Sequence, residues 1–253
     1  MQVRDRVVLL TGASSGLGWA MAVELAAKGA KLGLMARREP QLVQLQEQLR
    51  ATGATVEIAV VDVGDRDAQH AAIAELTGKL GPVDLFIANA GQGAGTTIRP
   101  FNREVQQGIL RTNLLGVIDG IEAVLPTMLE RRFGQIVTIA SLAGLRGLPG
   151  QEAYCASKAG LIAYSEGLRI RLRSHGINVT TICPGFVHTE MTQRLAWMPF
   201  AMSAPKAATK MLRAIERNAK QMRFPLPTAL LTWASKWAPD WLVARVLRSM
   251  IVD

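Results

Sequence analysis

Metal-binding side chains are scarce in this chain. Two cysteines, Cys155 and Cys183, and three histidines, His70, His175 and His188, are scattered over 253 residues without ligand spacing, so no metal site is expected. So few cysteines also exclude a disulfide framework. The opening "MQVRDRVVLLTGASSG" has only a short apolar run that ends in a glycine loop, unlike a secretory leader, and the expected setting is reducing and cytoplasmic. Aromatic residues make up 5% of the chain, which leaves few stacking platforms for single-stranded nucleic acid. The basic residues behind the formal charge of +9 are dispersed, not gathered in a run; the basicity is therefore not read as nucleic-acid binding. No apolar run approaches the roughly 20 residues needed to cross a bilayer. No internal repeat or low-complexity tract appears. With 49% apolar and 19% charged residues, residues 1–253 are expected to form a single α/β domain.

What is present is an alternation. Short apolar, β-branched runs, "RVVLL", "KLGLMA", "VEIAVV", "VDLFIA", "QIVTIA" and "INVTTIC", are separated by longer helical patterns. The runs are apolar on both faces, as buried parallel strands are. Between them, "LGWAMAVELAAKG" closes on Gly29, and "PQLVQLQEQLRATG" closes on Gly53 with Leu42, Leu45 and Leu49 at helical spacing,. The βαβαβ order predicts a Rossmann-type, doubly wound parallel sheet of about seven strands with helices on both faces, binding its ligand at the carboxyl ends of the strands. The segment "RFPLP" is placed as an edge strand because its prolines would be poor in a central one,.

The unusual residues sit at those strand ends. After the first strand, "TGASSGLG" carries Gly12, Ser14, Ser15, Gly16, Leu17 and Gly18. Glycines there permit a tight turn and close backbone approach, and the following helix N-terminus favours a pyrophosphate. After the second come Arg37 and Arg38, whose guanidinium forks suit a 2′-phosphate where a carboxylate would select a free ribose; the choice is NADP(H) over NAD. Asp62 and Val63 follow the third strand, Asn89, Ala90 and Gly91 the fourth, "SLAG" with Ser141 the fifth, and "PGFVHTEM" with Pro184, Gly185, Val187 and Thr189 the sixth. Taken singly, each is explicable as turn chemistry. In "EAYCASKAG", Tyr154 and Lys158 stand four apart and present their heads on one helical face,, although a packed tyrosine beside a solvated lysine would look the same.

Together these segments, from about residue 5 to residue 192, resemble the short-chain dehydrogenase/reductase family in its single-domain branch. The resemblance implies a catalytic tetrad of Asn113 (in "LRTNLLG"), Ser141, Tyr154 and Lys158. It implies that the glycine loop holds the pyrophosphate and that Asp62 and Val63 hold adenine. Asn89 to Gly91 would support sheet and cofactor, and Pro184, Gly185, Val187 and Thr189 would contact the nicotinamide amide. A phenol with a pKa near ~10 is a poor proton shuttle at neutral pH, and a neighbouring cation lowers it; Lys158 would supply that charge and hold the nicotinamide ribose. Ser141 would steady the substrate oxygen, and Asn113 would order a water linking Lys158 to solvent. Cys155 and Cys183 are expected to pack as small hydrophobes.

The expected function is reduction of a ketone or aldehyde by NADPH, or the reverse alcohol oxidation, on a small lipophilic substrate. The alternative is a catalytically idle NADP-binding sensor or scaffold. Ala143, Leu145, Leu148 and "LAWMPFAM" are the expected pocket lining. The family's glycine-rich "VDGG" ending is missing. Residues 190–253 instead form a variable lid and tail in which "PKAATKMLRAIERNAK" is amphipathic, and Trp233, Trp237 and Trp241 recur every four residues with Leu230, Leu242, Val246 and Leu247,. That flank is expected to be buried against a partner: a homodimer contact, or a peripheral contact with an anionic membrane.

Overall fold

A computed structural model describes residues 1–193 and 198–246. Leu195, Ala196 and Trp197 of "LAWMPFAM", and Leu247 of the tail, lie outside the described residues, as does the Val246 side chain.

Each apolar run forms a strand: β1 Val7–Thr11, β2 Lys31–Ala36, β3 Val56–Val60, β4 Leu85–Ala88, β5 Gly134–Ile139 and β6 Ile177–Pro184. A two-residue pair follows, β7 Val187–His188 and β8 Met202–Ser203, and then β9 Gln221–Phe224. The seven-stranded sheet has the order β3-β2-β1-β4-β5-β6-β9 and is parallel throughout. The chain order reverses between β1 and β4, and in such sheets a crevice opens there, at the carboxyl ends.

The helices are α1 Gly16–Ala27, α2 Glu39–Arg50, α3 Arg66–Leu80, α4 Arg103–Leu110, α5 Gly116–Arg131, α6 Glu152–Leu172, α7 Ala204–Glu216, α8 Leu226–Ser235 and α9 Asp240–Val246. They cover both faces of the sheet because successive strand residues point to opposite sides. Val8 and Leu10 of β1, with Leu85 and Ile87 of β4, meet Leu25 of α1, Leu45 of α2 and Met211 of α7. Leu9 and Phe86 face the other way, onto Leu76 of α3, Val124 of α5 and Leu161 of α6. Each such fully buried side chain contributes about 1.5–3 kcal/mol of transfer free energy, so the alternation fixes which way every strand end points.

Two expectations need correction. The edge strand is "QMRF", not "RFPLP": Phe224 pairs with Pro184, and Pro225 ends the strand while Pro227 sits in the first turn of α8. The three tryptophans do not share one continuous helical flank. The helix breaks between Ser235 and Asp240, where Pro239 cannot continue an intrahelical bond,, and Trp233, Trp237 and Trp241 are 54%, 75% and 69% exposed. Within α8 only Thr228 and Ala229 are buried, so little of the body is available to cover these rings.

Candidate active site

The glycine loop is built around Thr11. Its Oγ1 accepts from the backbone N–H of Asn89 at 3.0 Å and of Ala90 at 2.9 Å, and Asn89 Nδ2 returns bonds to the carbonyls of Thr11 (2.9 Å) and Gly12 (3.2 Å). The ends of β1 and β4 are thereby stapled together. Gly12 is required at φ +69°, and a Cβ there would stand 2.7 Å from Ala90 Cα,. Helix α1 then starts at Gly16 with no side-chain cap from Ser15, which leaves N–H groups of its first turn available to an anion. Leu17 packs against the apolar layer beneath.

At the end of β2 the two arginines diverge. Arg37 faces Asp62 at 3.5 Å, both groups largely exposed. Arg38 donates to the hydroxyl and the carbonyl of Ser14, both at 3.2 Å, and to Glu190 at 2.8 Å. Asp62 accepts from Gly64 N at 2.8 Å, holding the turn after β3, while Val63 is buried with its carbonyl against Gly116.

Asn113 lies in a π-helical turn, Arg111–Leu115, between α4 and α5. It is fully buried. Its Oδ1 accepts from Gln92 N at 2.8 Å, and its Nδ2 donates to Gln92 O (2.9 Å) and Ser157 Oγ (3.1 Å). Ser157 in turn donates to the Tyr154 carbonyl at 2.7 Å. The asparagine therefore braces the loop after β4 against α6. A methyl group on Gly91 would lie 3.3 Å from Asn113 Oδ1 and 3.4 Å from Lys158 Nζ, so glycine keeps both polar heads on a shared space.

Ser141 follows β5 and caps a short 3-10 turn, its Oγ accepting from Ala143 N at 3.1 Å. Tyr154 and Lys158 share one face of α6, with Nζ 5.8 Å from the ring centroid. Burial pushes the Tyr154 phenol up, and the Ser141 hydroxyl acts in the opposite direction. Burial lowers Lys158 from 10.5 to about 8. Desolvation is the largest cause at both groups,.

Pro184 ends β6, and Gly185 N bonds Phe224 O at 2.7 Å. A side chain on Gly185 would press on Pro225 and Leu142, at 3.1 and 3.2 Å. Val187 is buried in β7, while Thr189 caps the turn Glu190–Thr192 and rests its methyl against Gly16. All the strand-end residues singled out in the sequence thus meet along one edge of the sheet. Thr11, Gln92, Ser157 and Glu190 were missed; Thr11 and Glu190 had a signal, directly flanking Gly12 and Thr189.

Leu145 and Leu148 depart from expectation. They line a cavity of about 750 Å³ with Glu152, Cys155, Ala156 and Ala159 of α6 and Val243 of α9. That face of α6 is not the one bearing Tyr154 and Lys158. A second cavity, about 560 Å³, lies between α1 and the turn at Glu190. Neither is lined by Ser141, Tyr154 or Lys158. Both cysteines are free and buried.

The family model for short chain dehydrogenases matches residues 6–198. The chain belongs to this family. Proteins similar to it include an uncharacterized oxidoreductase of Myxococcus xanthus, 41% identical over 97% of both chains. The 3-oxoacyl-(acyl-carrier-protein) reductase of Escherichia coli is 35% identical over 78% of this chain and 79% of its own. Among solved structures, an actinorhodin polyketide ketoreductase with NADPH superimposes at a TM-score of 0.80, with 28% identity over 88% of this chain and 96% of its own. A short-chain dehydrogenase/reductase of Burkholderia phymatum in complex with NAD gives 0.85, with 27% identity over 92% and 93%. The family is one of oxidoreductases on this same parallel sheet.

Proposed function

We propose that the protein is an NADPH-dependent oxidoreductase that reduces a ketone or aldehyde, or oxidises the corresponding secondary alcohol. The observation that carries this reading is the convergence of Ser141, Tyr154 and Lys158 beside the Thr11–Asn89 staple, with Arg37 and Arg38 at the adjoining strand end. Relatives named as ketoacyl reductases and a levodione reductase of the same fold support a carbonyl substrate.

NADPH, when bound, supplies the hydride. The chain's own residues do the rest. N–H groups around Gly12, Ser14, Ser15, Gly16, Leu17 and Gly18 hold the pyrophosphate; Arg37 and Arg38 take the 2′-phosphate; Asp62 and Val63 flank adenine. Asn89, Ala90 and Gly91 form the floor, and Pro184, Gly185, Val187 and Thr189 border the carboxamide. Ser141 donates to the substrate oxygen, where negative charge develops. Tyr154 passes its phenolic proton to that oxygen as general acid. Lys158 holds the nicotinamide ribose and stabilises the phenolate. Asn113 fixes α6 through Ser157 and keeps a proton path beside Lys158.

In this reading residues 1–253 are one catalytic domain in a cytoplasmic setting, with 190–253 as lid and tail. The tail makes a homodimer contact through its exposed tryptophans; a peripheral contact with anionic membrane is the alternative, favoured by ten Lys and Arg against three acids from Arg194 to Asp253,. Light scattering alongside flotation with anionic vesicles separates the two. For the activity, a panel of β-ketoacyl thioesters, cyclic diketones and aromatic ketones is followed by nicotinamide absorbance with NADPH and with NADH. Tight NADPH binding without turnover of any carbonyl would favour an idle sensor or scaffold instead.

A further inference from the structure

Three consecutive residues of the turn after β7 each touch a different part of the site. Thr189 rests its methyl on the glycine loop, Cγ2 lying 3.0 Å from where a Cβ on Gly16 would stand. Glu190 Oε2 accepts from Arg38 Nη1 at 2.8 Å. Met191 lies over Gly93, where a Cβ would meet its Sδ at 3.5 Å and the Tyr154 ring at 3.8 Å. The turn is stiff. Thr192 Oγ1 donates to Val187 O at 2.6 Å and accepts from Thr189 N at 3.1 Å, which holds the backbone from which Glu190 projects.

Arg38 is held on one side by Ser14, through two bonds of 3.2 Å, and on the other by Glu190. Among the described residues Glu190 is its one ion-pair partner. A carboxylate and a 2′-phosphate ask for the same guanidinium fork. The two cannot share it freely: the phosphate carries a charge of about −1.5 to −2, and Glu190 beside it would be a like charge.

We propose that Glu190 is a cofactor-selectivity residue, a displaceable counter-ion that occupies Arg38 until a 2′-phosphate takes its place. This rests on the NADP(H) reading above. The pair is 40% and 57% exposed at its two side chains, and exposed pairs of this kind are weak, so a more highly charged phosphate wins the exchange. Glu190 then leaves Arg38 by rotation of its side chain, while the turn that carries it keeps its hydrogen bonds. NADH, without the phosphate, leaves the Arg38–Glu190 pair closed.

The test is a double-mutant cycle on cofactor binding. Dissociation constants for NADPH and NADH are measured by calorimetry for the wild type, Glu190→Gln, Arg38→Ala and the double variant. Glu190→Gln is expected to tighten NADPH by about two- to fivefold, the range of one exposed ion pair, with NADH unchanged and no gain in the Arg38→Ala background. Unchanged or weaker NADPH binding in Glu190→Gln overturns the proposal. So does an equal gain for both cofactors, or a gain that persists without Arg38. A wild type that binds NADH as tightly as NADPH, with Arg38→Ala affecting neither, instead defeats the NADP(H) reading and removes the ground of the proposal.

Discussion

Lys158 Nζ stands 5.8 Å from the centre of the Tyr154 ring, yet its hydrogen bond goes to the Ile139 carbonyl at 2.8 Å. The lysine is therefore fixed by the end of β5, not by the tyrosine one turn behind it. The cost is a buried ammonium, whose pKa falls to about 8.

That cost makes stability depend on pH. The folded-state value lies below the unfolded value of 10.5, so between about pH 8 and 10.5 the unfolded chain binds more protons at this site and its contribution to stability rises with pH. Below about pH 8 the full penalty, about 3 kcal/mol, is present. Burial raises the pKa of Cys155, Cys183 and Tyr154 and acts in the opposite direction at alkaline pH. The difference between wild type and Lys158→Met, read from urea unfolding at a series of pH values, isolates the lysine. Parallel curves for the two proteins would contradict the assignment.

Tyr154→Phe removes the proposed proton donor without disturbing the Ser157 bond, which uses the backbone carbonyl. Turnover of any carbonyl substrate should fall by roughly 10² to 10⁴, with NADPH affinity near that of the wild type. Near-normal reduction by this variant would sink the role given to the phenol.

Arg37 and Arg38 do not have equal settings, and their single variants should differ. Each charge-assisted bond to a phosphate is worth about 1.5–3 kcal/mol, so Arg37→Ala should cost NADPH roughly tenfold or more and NADH little. Arg38→Ala should cost NADPH as much and also loosen Ser14, to which it donates twice, giving a smaller loss for NADH. Equal losses for the two cofactors in both variants would show that the arginines do not read the phosphate.

Thr11 is 2% exposed and accepts two backbone N–H groups. Thr11→Val keeps the shape and leaves both donors unpaired, a loss of about 2–4 kcal/mol in unfolding free energy. Because Asn89 and Ala90 form the wall of the glycine loop, cofactor affinity should fall in parallel. A variant as stable as the wild type would mean that water replaces the hydroxyl.

The sequence by itself determined the sheet and the edge on which the candidate site residues gather. Strand periodicity, glycine turns and the four-residue spacing of Tyr154 and Lys158 are local properties, set by sterics and helix geometry within a few residues. Tertiary structure alone decided the rest. Arg38 meets Glu190 across 152 positions of sequence and Asn113 meets Ser157 across 44; such pairs exist only once the parallel register has brought the strand ends level. Whether Leu145 and Leu148 faced the site depended on which side of α6 the loop after β5 settled. The period of four in the tail describes one continuous helix, whereas Pro239 divides it into α8 and α9,.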